Sequence, residues 1–301
     1  MADNIDLKKV PNLIIDTDLG CDCDDAGAIA IANLLHNEGK ANILCVTHCL
    51  NDDEGARCID YINNYFGNDF EVGKSYDCAF DATNYMQRYV YKLSNSFNRN
   101  KKVENSVELI KRKLAKVADK SVTMVFIGQL NNLAGLIKDE VGKKLIYDKV
   151  KQIFIMAGNF EPYDEYFTYR TSKFKAEFNV NIDIPSAITV AKEINLPLRF
   201  IDFNQGIKVF TGEVIKGLDN PVSKIYELFG VVNRESWDLL TTICVGDGIA
   251  LFNQSPNGKV LVSETGKTTF EEGVGNHQIL TIKDADKATK YINETLIKIK
   301  E

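Results

Sequence analysis

IIDTDLGCDCDDAGAIAIA, residues 14–32, places five aspartates between an apolar run and a run of small residues. The five are Asp16, Asp18, Asp22, Asp24 and Asp25. The apolar start predicts a buried strand, and the small residues after Asp25 predict a closely packed helix. Carboxylates this close together repel one another, and they lose hydration if they are buried. A bound cation is the simplest way to compensate their charge.

The alternation of short apolar runs and helical stretches continues along most of the chain. Strands are predicted at Asn12–Asp16, Asn42–His48, Ser121–Gly128, Lys151–Ala157 and Pro197–Asp202. The helices predicted between them are Asp24–His36, Asp52–Tyr65, Asn132–Tyr147 and Asp183–Ile194. This order predicts an α/β fold with a doubly wound, mostly parallel sheet flanked by helices.

The last fifty or so residues follow another pattern. Val260–Glu264 and His277–Ile282 predict the strands of a small C-terminal hairpin or sheet, and a final helix is predicted from Asp284. The chain contains no internal repeat, low-complexity tract or linker, so one domain is predicted over residues 1–301. In such sheets, loops at the carboxyl ends of the strands build the binding site, and the aspartate cluster follows the first strand.

Composition limits the partners that we expect. The 301 residues are 45% hydrophobic and 26% charged, with a formal net charge of -6. An acidic chain does not attract nucleic acid or an anionic membrane. No apolar run approaches the roughly 18 residues of a membrane span, and MADNIDLKKVPN lacks the apolar region of a secretory signal.

Seven cysteines, an odd number in a long chain, favour reduced thiols in a cytoplasmic protein. Two groups suggest zinc at first sight, the CxC of Cys21 and Cys23 and the set of Cys45, His48 and Cys49. Neither has the paired spacing of a structural zinc site.

Other interpretations of the aspartate cluster compete. A helix-capping loop explains Asp24 and Asp25 but not the other three. An EF-hand requires an acidic residue at position twelve, where the chain has Gly27 or Ile29, depending on the starting aspartate. A strand that ends in Asp16-Thr17-Asp18 is also typical of haloacid-dehalogenase-type phosphatases, which use Mg²⁺, although Gly20 and the acids after it depart from that pattern.

Asp16 to Ala26 resembles the D-x-D-P-G-x-D-D-A signature of the inosine-uridine-preferring nucleoside hydrolase family. Two residues are extra and Leu19 replaces the proline, as in the longer D-x-D-x-G-x-D-x-D-D form of one nucleoside-hydrolase-like branch. Four further segments that resemble the family follow in its order: Asn51 after the second strand, GQLNNLA at 128–134, AEFN at 176–179 followed by Asp183 and Ala187, and SWDLL at 236–240. The resemblance covers about residues 12 to 250.

The resemblance implies a Ca²⁺-dependent enzyme and assigns roles by position. The implied calcium ligands are Asp18, Asp25, Asp238 and the backbone carbonyl of Asn131. Asp18 would also be the general base toward water. The residues implied to grip the ribose hydroxyls are Asp24, Asn51, Glu177 and Asn179. Asp16 would stand behind the ligands, and Asp22, absent from the short motif, is an uncertain extra. Family members are commonly dimers or tetramers, which implies a homo-oligomer.

Two departures from the family pattern concern the leaving group and the 5′ side of the sugar. Trp237 stands where the family often has a histidine, so it would stack on the base rather than donate a proton. His48 is the one histidine expected near the site, and it is an uncertain candidate proton donor. Thr171 stands nearest to the asparagine that the family uses for the 5′-hydroxyl.

The sequence therefore predicts hydrolysis of the N-glycosidic bond of a small-molecule ribonucleoside, giving free base and ribose. The transition state would resemble an oxocarbenium ion. Two alternatives stay open. One is a calcium-dependent ribosyl-binding protein without turnover, which the missing histidine suggests, and the other is the Mg²⁺-dependent phosphatase.

Overall fold

The computed structural model describes residues 10–78, 80–81, 88–96, 103–161 and 176–299. Its strands are β1 Asn12–Thr17, β2 Asn42–His48, β3 Val72–Lys74, β4 Glu104–Asn105, β5 Val122–Phe126, β6 Val150–Met156, β7 Leu198–Ile201, β8 Phe210–Thr211, β9 Arg234–Glu235, β10 Phe252–Gln254, β11 Gly258–Val262, β12 Thr268–Glu272 and β13 His277–Ile282.

The α-helices are numbered in chain order. They are α1 Asp24–Asn37, α2 Asp53–Tyr65, α3 Arg88–Ser96, α4 Ser106–Leu114, α5 Asn131–Lys138, α6 Glu140–Lys149, α7 Phe178–Asn181, α8 Ile184–Glu193, α9 Phe203–Gly206, α10 Pro221–Phe229, α11 Trp237–Ile243 and α12 Ala285–Leu296. None of these helices is long and apolar enough to cross a membrane.

One large sheet organises the molecule. Its strand order is β12-β11-β13-β7-β6-β5-β1-β2-β3-β4, and β10 pairs with β13. The strands from β7 to β4 run parallel, and β13 is parallel to β7. The predicted doubly wound α/β architecture is therefore confirmed. β1 lies between β2 and β5, the point where the winding direction reverses, and ligands bind at such points.

Helices cover both faces of the sheet, which explains the continuous apolar character of the strands. Leu13, Ile14 and Ile15 of β1 are fully buried. Side chains of α1, α2, α3, α10, α11 and α12 form a core on one face. Side chains of α4, α5, α6 and α8 form a second core on the other face.

All five predicted parallel strands are present, with ends within two residues of the predicted ends. The predicted helix Asn132–Tyr147 is instead two helices, α5 and α6. The break falls at Asp139, whose Oδ1 accepts a hydrogen bond of 2.6 Å from the Gly142 N–H and so caps α6. The elements β3, β4, α3 and α4 were not predicted. β3 and β4 have only three and two residues, and α3 and α4 are short helices of nine residues each.

The C-terminal strands pair differently from a hairpin of Val260–Glu264 with His277–Ile282. The antiparallel hairpin joins β11 to β12, and β13 lies parallel to β7 in the main sheet. β11 meets β13 at the single pair Gly258 and His277. Proximity along the chain favoured the hairpin, but β13 pairs with β7 at three residue positions and with β11 at only one.

Candidate metal centre and substrate pocket

The candidate site lies at the carboxyl edge of the parallel strands. After Thr17 ends β1, residues 18–23 form a turn, called the acid loop here, which leads into α1. Gly20 in this loop has φ 123°, a conformation that side-chain-bearing residues rarely adopt. The loop can therefore reverse the chain within a few residues and bring its aspartates back over the end of β1.

Three buried carboxyls converge where two helices begin. Asp24 and Asp25 stand in the first turn of α1, and Asp238 stands in the first turn of α11. One oxygen from each lies within 4.8 Å of the others. Asp24 Oδ2 also accepts a hydrogen bond of 3.0 Å from the Asp238 N–H. The N-terminus of α1 carries a partial positive charge, which offsets part of the repulsion.

Asp18 lies beside these three carboxyls, although it is not within the 4.8 Å set. It is 4% exposed. Burial, followed by the charge of Asp24, raises its pKa to about 7. Burial also raises the pKa of Asp24, Asp25 and Asp238 well above the usual range, and each is raised further by neighbouring aspartates. Four carboxyls that disfavour one another's ionisation make a region where a cation would bind strongly.

Hydrogen bonds from neutral side chains fix the orientation of the acids. Thr17 Oγ1 donates to Asp25 Oδ1, while Asp25 Oδ2 is buried without a partner among the residues described. Asp16 Oδ2 accepts from Thr47 Oγ1 at 2.5 Å and from Asn132 Nδ2 at 2.7 Å. Asp16 thus lies beneath the acid loop, where burial raises its pKa to about 7.

Asn131 begins α5 and closes another side of the site. Its Nδ2 donates to the Cys49 carbonyl and to Ser75 Oγ, each at 2.9 Å, and to the Asp77 carbonyl at 3.1 Å. Its Oδ1 is buried and has no hydrogen-bond partner within the described part of the chain. The side chain is therefore anchored to the loops after β2 and β3, which fixes the backbone at the start of α5.

Glu177 and Asn179 form a second polar group at the same sheet edge. Glu177 Oε2 accepts from the N–H groups of Gly158 and Val180, and its Oε1 accepts from that of Asn179, at 2.9 to 3.2 Å. Burial raises its pKa to about 7, although these three donors lower it. Asn179 Nδ2 donates to the Met156 carbonyl at 3.1 Å.

Asn51 is exposed and lies three residues after β2 ends at His48. Thr171, the other predicted residue on the sugar side, lies outside the described residues.

Trp237 lies mostly in the hydrophobic core and is 8% exposed. Its Nε1 donates a hydrogen bond of 2.9 Å to the Phe203 carbonyl, and its ring stacks on the Phe203 ring with centroids 5.7 Å apart. A Cβ on Gly206 would overlap the indole. The indole is therefore stacked against Phe203, and its N–H is already used within the protein.

His48 is fully buried, and its Nε2 lies 3.0 Å from the Leu19 carbonyl. Burial lowers its pKa to about 4. At neutral pH the imidazole is uncharged, and Nε2 carries the proton because the carbonyl can only accept. This assignment makes His48 a poor acid for a departing base.

Arg234 lies beside the candidate site but was not predicted from the sequence. Its guanidinium forms an ion pair with Asp22, and Nε donates to Asp22 Oδ1 at 2.8 Å. The two residues are separated by 212 positions in the chain. The one available indication was electrostatic: five aspartates need compensation, and Arg234 is the cation nearest in sequence to Asp238.

Comparisons with known proteins agree with this architecture. A model of the family described as "inosine-uridine preferring nucleoside hydrolase" matches residues 13–288. An inosine-uridine preferring nucleoside hydrolase from Bacillus anthracis is 17% identical, with a TM-score of 0.74 over 96% of this chain and 100% of that one. A plant nucleoside hydrolase is also 17% identical, with a TM-score of 0.76 over 96% and 99%.

A third solved structure, a type III effector protein complexed with adenosine diphosphate ribose, is 17% identical. Its TM-score is 0.75 over 96% of this chain and 94% of the effector. At such identities these likenesses establish a shared fold. No curated protein sequence matches the chain.

Proposed function

Because the chain belongs to the inosine-uridine preferring nucleoside hydrolase family, and so is a glycosidase that acts on N-glycosyl compounds, we propose that it hydrolyses ribonucleosides to free base and ribose in a calcium-dependent reaction. The observation that carries the calcium proposal is the convergence of Asp24, Asp25 and Asp238, with oxygens within 4.8 Å of one another. The Mg²⁺-dependent phosphatase is set aside, since family membership accounts for the same aspartates.

The residues present fit a hard divalent cation. The buried donors are carboxylate oxygens, which Ca²⁺ and Mg²⁺ prefer, and no thiol or imidazole joins the one such cluster found among the described residues. Asp25 Oδ2 is buried without a hydrogen-bond partner in that part of the chain, so a ligand atom is free. We propose Asp18, Asp25, Asp238 and the Asn131 carbonyl as the ligands, and Ca²⁺ as the ion. Asp24, the remaining member of the 4.8 Å set, would add negative charge beside the ion and bind the sugar.

A bound Ca²⁺ would orient water and the vicinal hydroxyls of the sugar and supply positive charge. The chain's own residues would do the rest. Asp18 would accept a proton from the attacking water. Asp24, Asn51, Glu177 and Asn179 would bind ribose hydroxyls. Their acceptor oxygens would gain strength as positive charge develops on the ring in an oxocarbenium-like transition state.

Departure of the base is the step at which this chain would differ from the family pattern, since Trp237 stands where the family often has a histidine. Neutral His48 does not supply an acidic proton at pH 7, and the Trp237 N–H already bonds to Phe203. We propose that Trp237 offers the base a limited apolar edge. Bases that leave without protonation would then be favoured, such as nicotinamide, which is a cation while attached to ribose and departs as a neutral molecule.

The uncharged His48 and the Trp237 N–H that is already bonded favour a second candidate function. A chain with a ribose grip and no acid for the leaving group could bind a ribosyl compound without cleaving it. Cytoplasmic location and a homo-oligomeric state stay predictions from the sequence.

The deciding experiment measures the release of reducing sugar from purine, pyrimidine and nicotinamide ribosides. Each is assayed with added calcium, with a chelator, and with calcium restored after chelation. We expect release that chelation abolishes and calcium restores. Release that the chelator leaves unchanged would contradict the calcium proposal. Calorimetric binding of ribosides without any release would replace hydrolysis by the binding function.

A further inference from the structure

Asp22 is the aspartate of the acid loop that the proposed calcium site does not use. Its side chain is 27% exposed, and that of its partner Arg234 is 13% exposed. Arg234 Nε donates to Asp22 Oδ1 at 2.8 Å, and Nη2 donates to Oδ2. The contact is two-pronged and largely removed from water, so it is geometrically specific as well as electrostatic.

Arg234 is also fixed on its other sides. Nη1 donates to Glu235 Oε2 at 2.6 Å. The guanidinium carbon lies 5.1 Å from the centre of the Trp237 ring and 5.6 Å from that of the Phe229 ring. A planar guanidinium with three bonded nitrogens and two neighbouring rings has little rotational freedom.

The pair joins the two segments that carry the proposed ligands. Asp22 lies in the acid loop between Asp18 and Asp25, and Arg234 lies in β9, four residues before Asp238. The hydrogen bond between Asp24 Oδ2 and the Asp238 N–H joins the same segments. If the ion pair between Asp22 and Arg234 were removed, the acid loop could still reach its position, but it would also sample other conformations.

We propose that Arg234 is a positioning residue that, through Asp22, holds the acid loop in the conformation that binds the metal. This inference rests on the proposed function. Asp22 is then no ligand of the ion, because its negative charge is already compensated by the guanidinium of Arg234. Asp22 thus has its compensating cation within the chain, and Asp18, Asp25 and Asp238 are left as the carboxylate ligands proposed for calcium.

Loss of a residue that orients metal ligands typically lowers metal affinity about 10-fold to 100-fold. We expect a decrease of that size for Arg234→Gln and for Asp22→Asn. The double variant should bind Ca²⁺ no more weakly than the single variant with the lower affinity, because either change breaks the same ion pair. Arg234→Lys should resemble Arg234→Gln, since an ammonium keeps the charge but cannot form the two-pronged contact.

The experiment is a calorimetric titration of the full chain with Ca²⁺ alone, at a temperature where circular dichroism shows each variant folded. Arg112→Gln is the matched control. Arg112 of α4 also bridges two carboxylates, Glu71 and Glu104, at 2.6 Å each, and none of these three residues belongs to the acid loop or to β9. We expect this control to bind Ca²⁺ as the wild type does.

A second readout separates positioning from general destabilisation. If Arg234 acts through calcium affinity, a large excess of Ca²⁺ should restore most of the riboside turnover of Arg234→Gln. Turnover that stays low at saturating Ca²⁺ would overturn the inference.

Unchanged calcium affinity in a folded Arg234→Gln variant would also overturn it. If Arg234→Gln does not fold, Asp22→Asn decides in the same way, because the smaller change leaves the loop backbone intact. A wild-type chain that binds no Ca²⁺ would reject the proposed function and this inference together. Wild-type binding with unaffected variants would reject this inference alone.

Discussion

Five aspartates within a short stretch of sequence meet different partners in the folded protein. Asp16 is bonded to Thr47 and Asn132, and Asp22 is bonded to Arg234. Asp24 and Asp25 face Asp238. At the residue scale, identical side chains thus have distinct chemical environments, because each has its own burial and its own hydrogen-bond partners.

Asp18→Asn is the first test at this scale. We expect turnover to fall about 10²-fold to 10⁴-fold, the usual contribution of a general base, and calcium binding to weaken. Asp119→Asn is the control, since Asp119 is exposed and pairs with Lys149. An Asp18→Asn variant that turns over at the wild-type rate would remove Asp18 from the proposed mechanism.

His48 gives a prediction of pH dependence. Its pKa is about 4 in the folded protein against 6.5 for the ordinary value. Between these values the unfolded chain binds more protons, so the free energy of unfolding falls as the pH decreases. From pH 7 to pH 5 we expect a loss of about 2 kcal/mol from this group.

Urea unfolding of the wild type and of His48→Gln at both pH values measures this loss. The variant should lose less stability on acidification, because it lacks the imidazole that titrates. The aspartates are present in both proteins, so their effects cancel in the comparison. Equal losses would show that His48 does not titrate in this way.

At the element scale, close packing of short helices places the acids. A Cβ on Gly27 of α1 would lie 2.8 Å from Leu239 Cδ2 of α11, so the small residues of α1 let α11 approach. Gly206 at the end of α9 leaves room for the Trp237 ring in the same manner. These contacts bring Asp238 to Asp24 and Asp25.

Gly206→Ala tests this packing. The added methyl group would overlap the rigid indole, so we expect a loss of about 1–3 kcal/mol in the free energy of unfolding. Weaker calcium binding should follow, since Asp238 is the next residue after Trp237.

Gly135→Ala in α5 is the matched control for Gly206→Ala. Its Cβ would meet a single atom, Cγ2 of the partly buried Val107, at 3.0 Å, and alanine favours a helix over glycine, so we expect a change below about 1 kcal/mol. Thermal unfolding of both variants gives the comparison, and equal stability losses would contradict the packing argument.

At the scale of the whole molecule, the sheet and its two cores bring together acids from distant parts of the chain. A cation that binds only the folded protein should therefore stabilise all of it. At calcium concentrations 100 times the dissociation constant, we expect about 2.7 kcal/mol of added stability.

Thermal unfolding in a chelator and after calcium is restored checks this expectation. The midpoint should rise with calcium, and it should rise less in Asp18→Asn. The same midpoint under both conditions would show that the carboxyl cluster holds no calcium.

The sequence by itself determined the local features of this protein. Apolar runs of five to eight residues between helical stretches predicted β1, β2, β5, β6 and β7, because strand and helix patterns repeat over short distances. The predicted helix starts at Asp52 and Asp183 coincide with observed caps, where each carboxylate accepts a hydrogen bond from a backbone N–H of the first turn. The acid-rich stretch indicated where the candidate site lies.

Only the tertiary structure decided which distant groups meet. The pairing of Asp22 with Arg234 spans 212 positions, and the contact of Asp24 with Asp238 spans 214. Likewise, β13 joins β7 rather than β11 along its length. Such contacts leave no periodic pattern in the sequence, since they depend on how the sheet twists and how helices pack. Packing thus turned a cluster of like charges into one acid with its own cation and an arrangement of carboxyls suited to a metal.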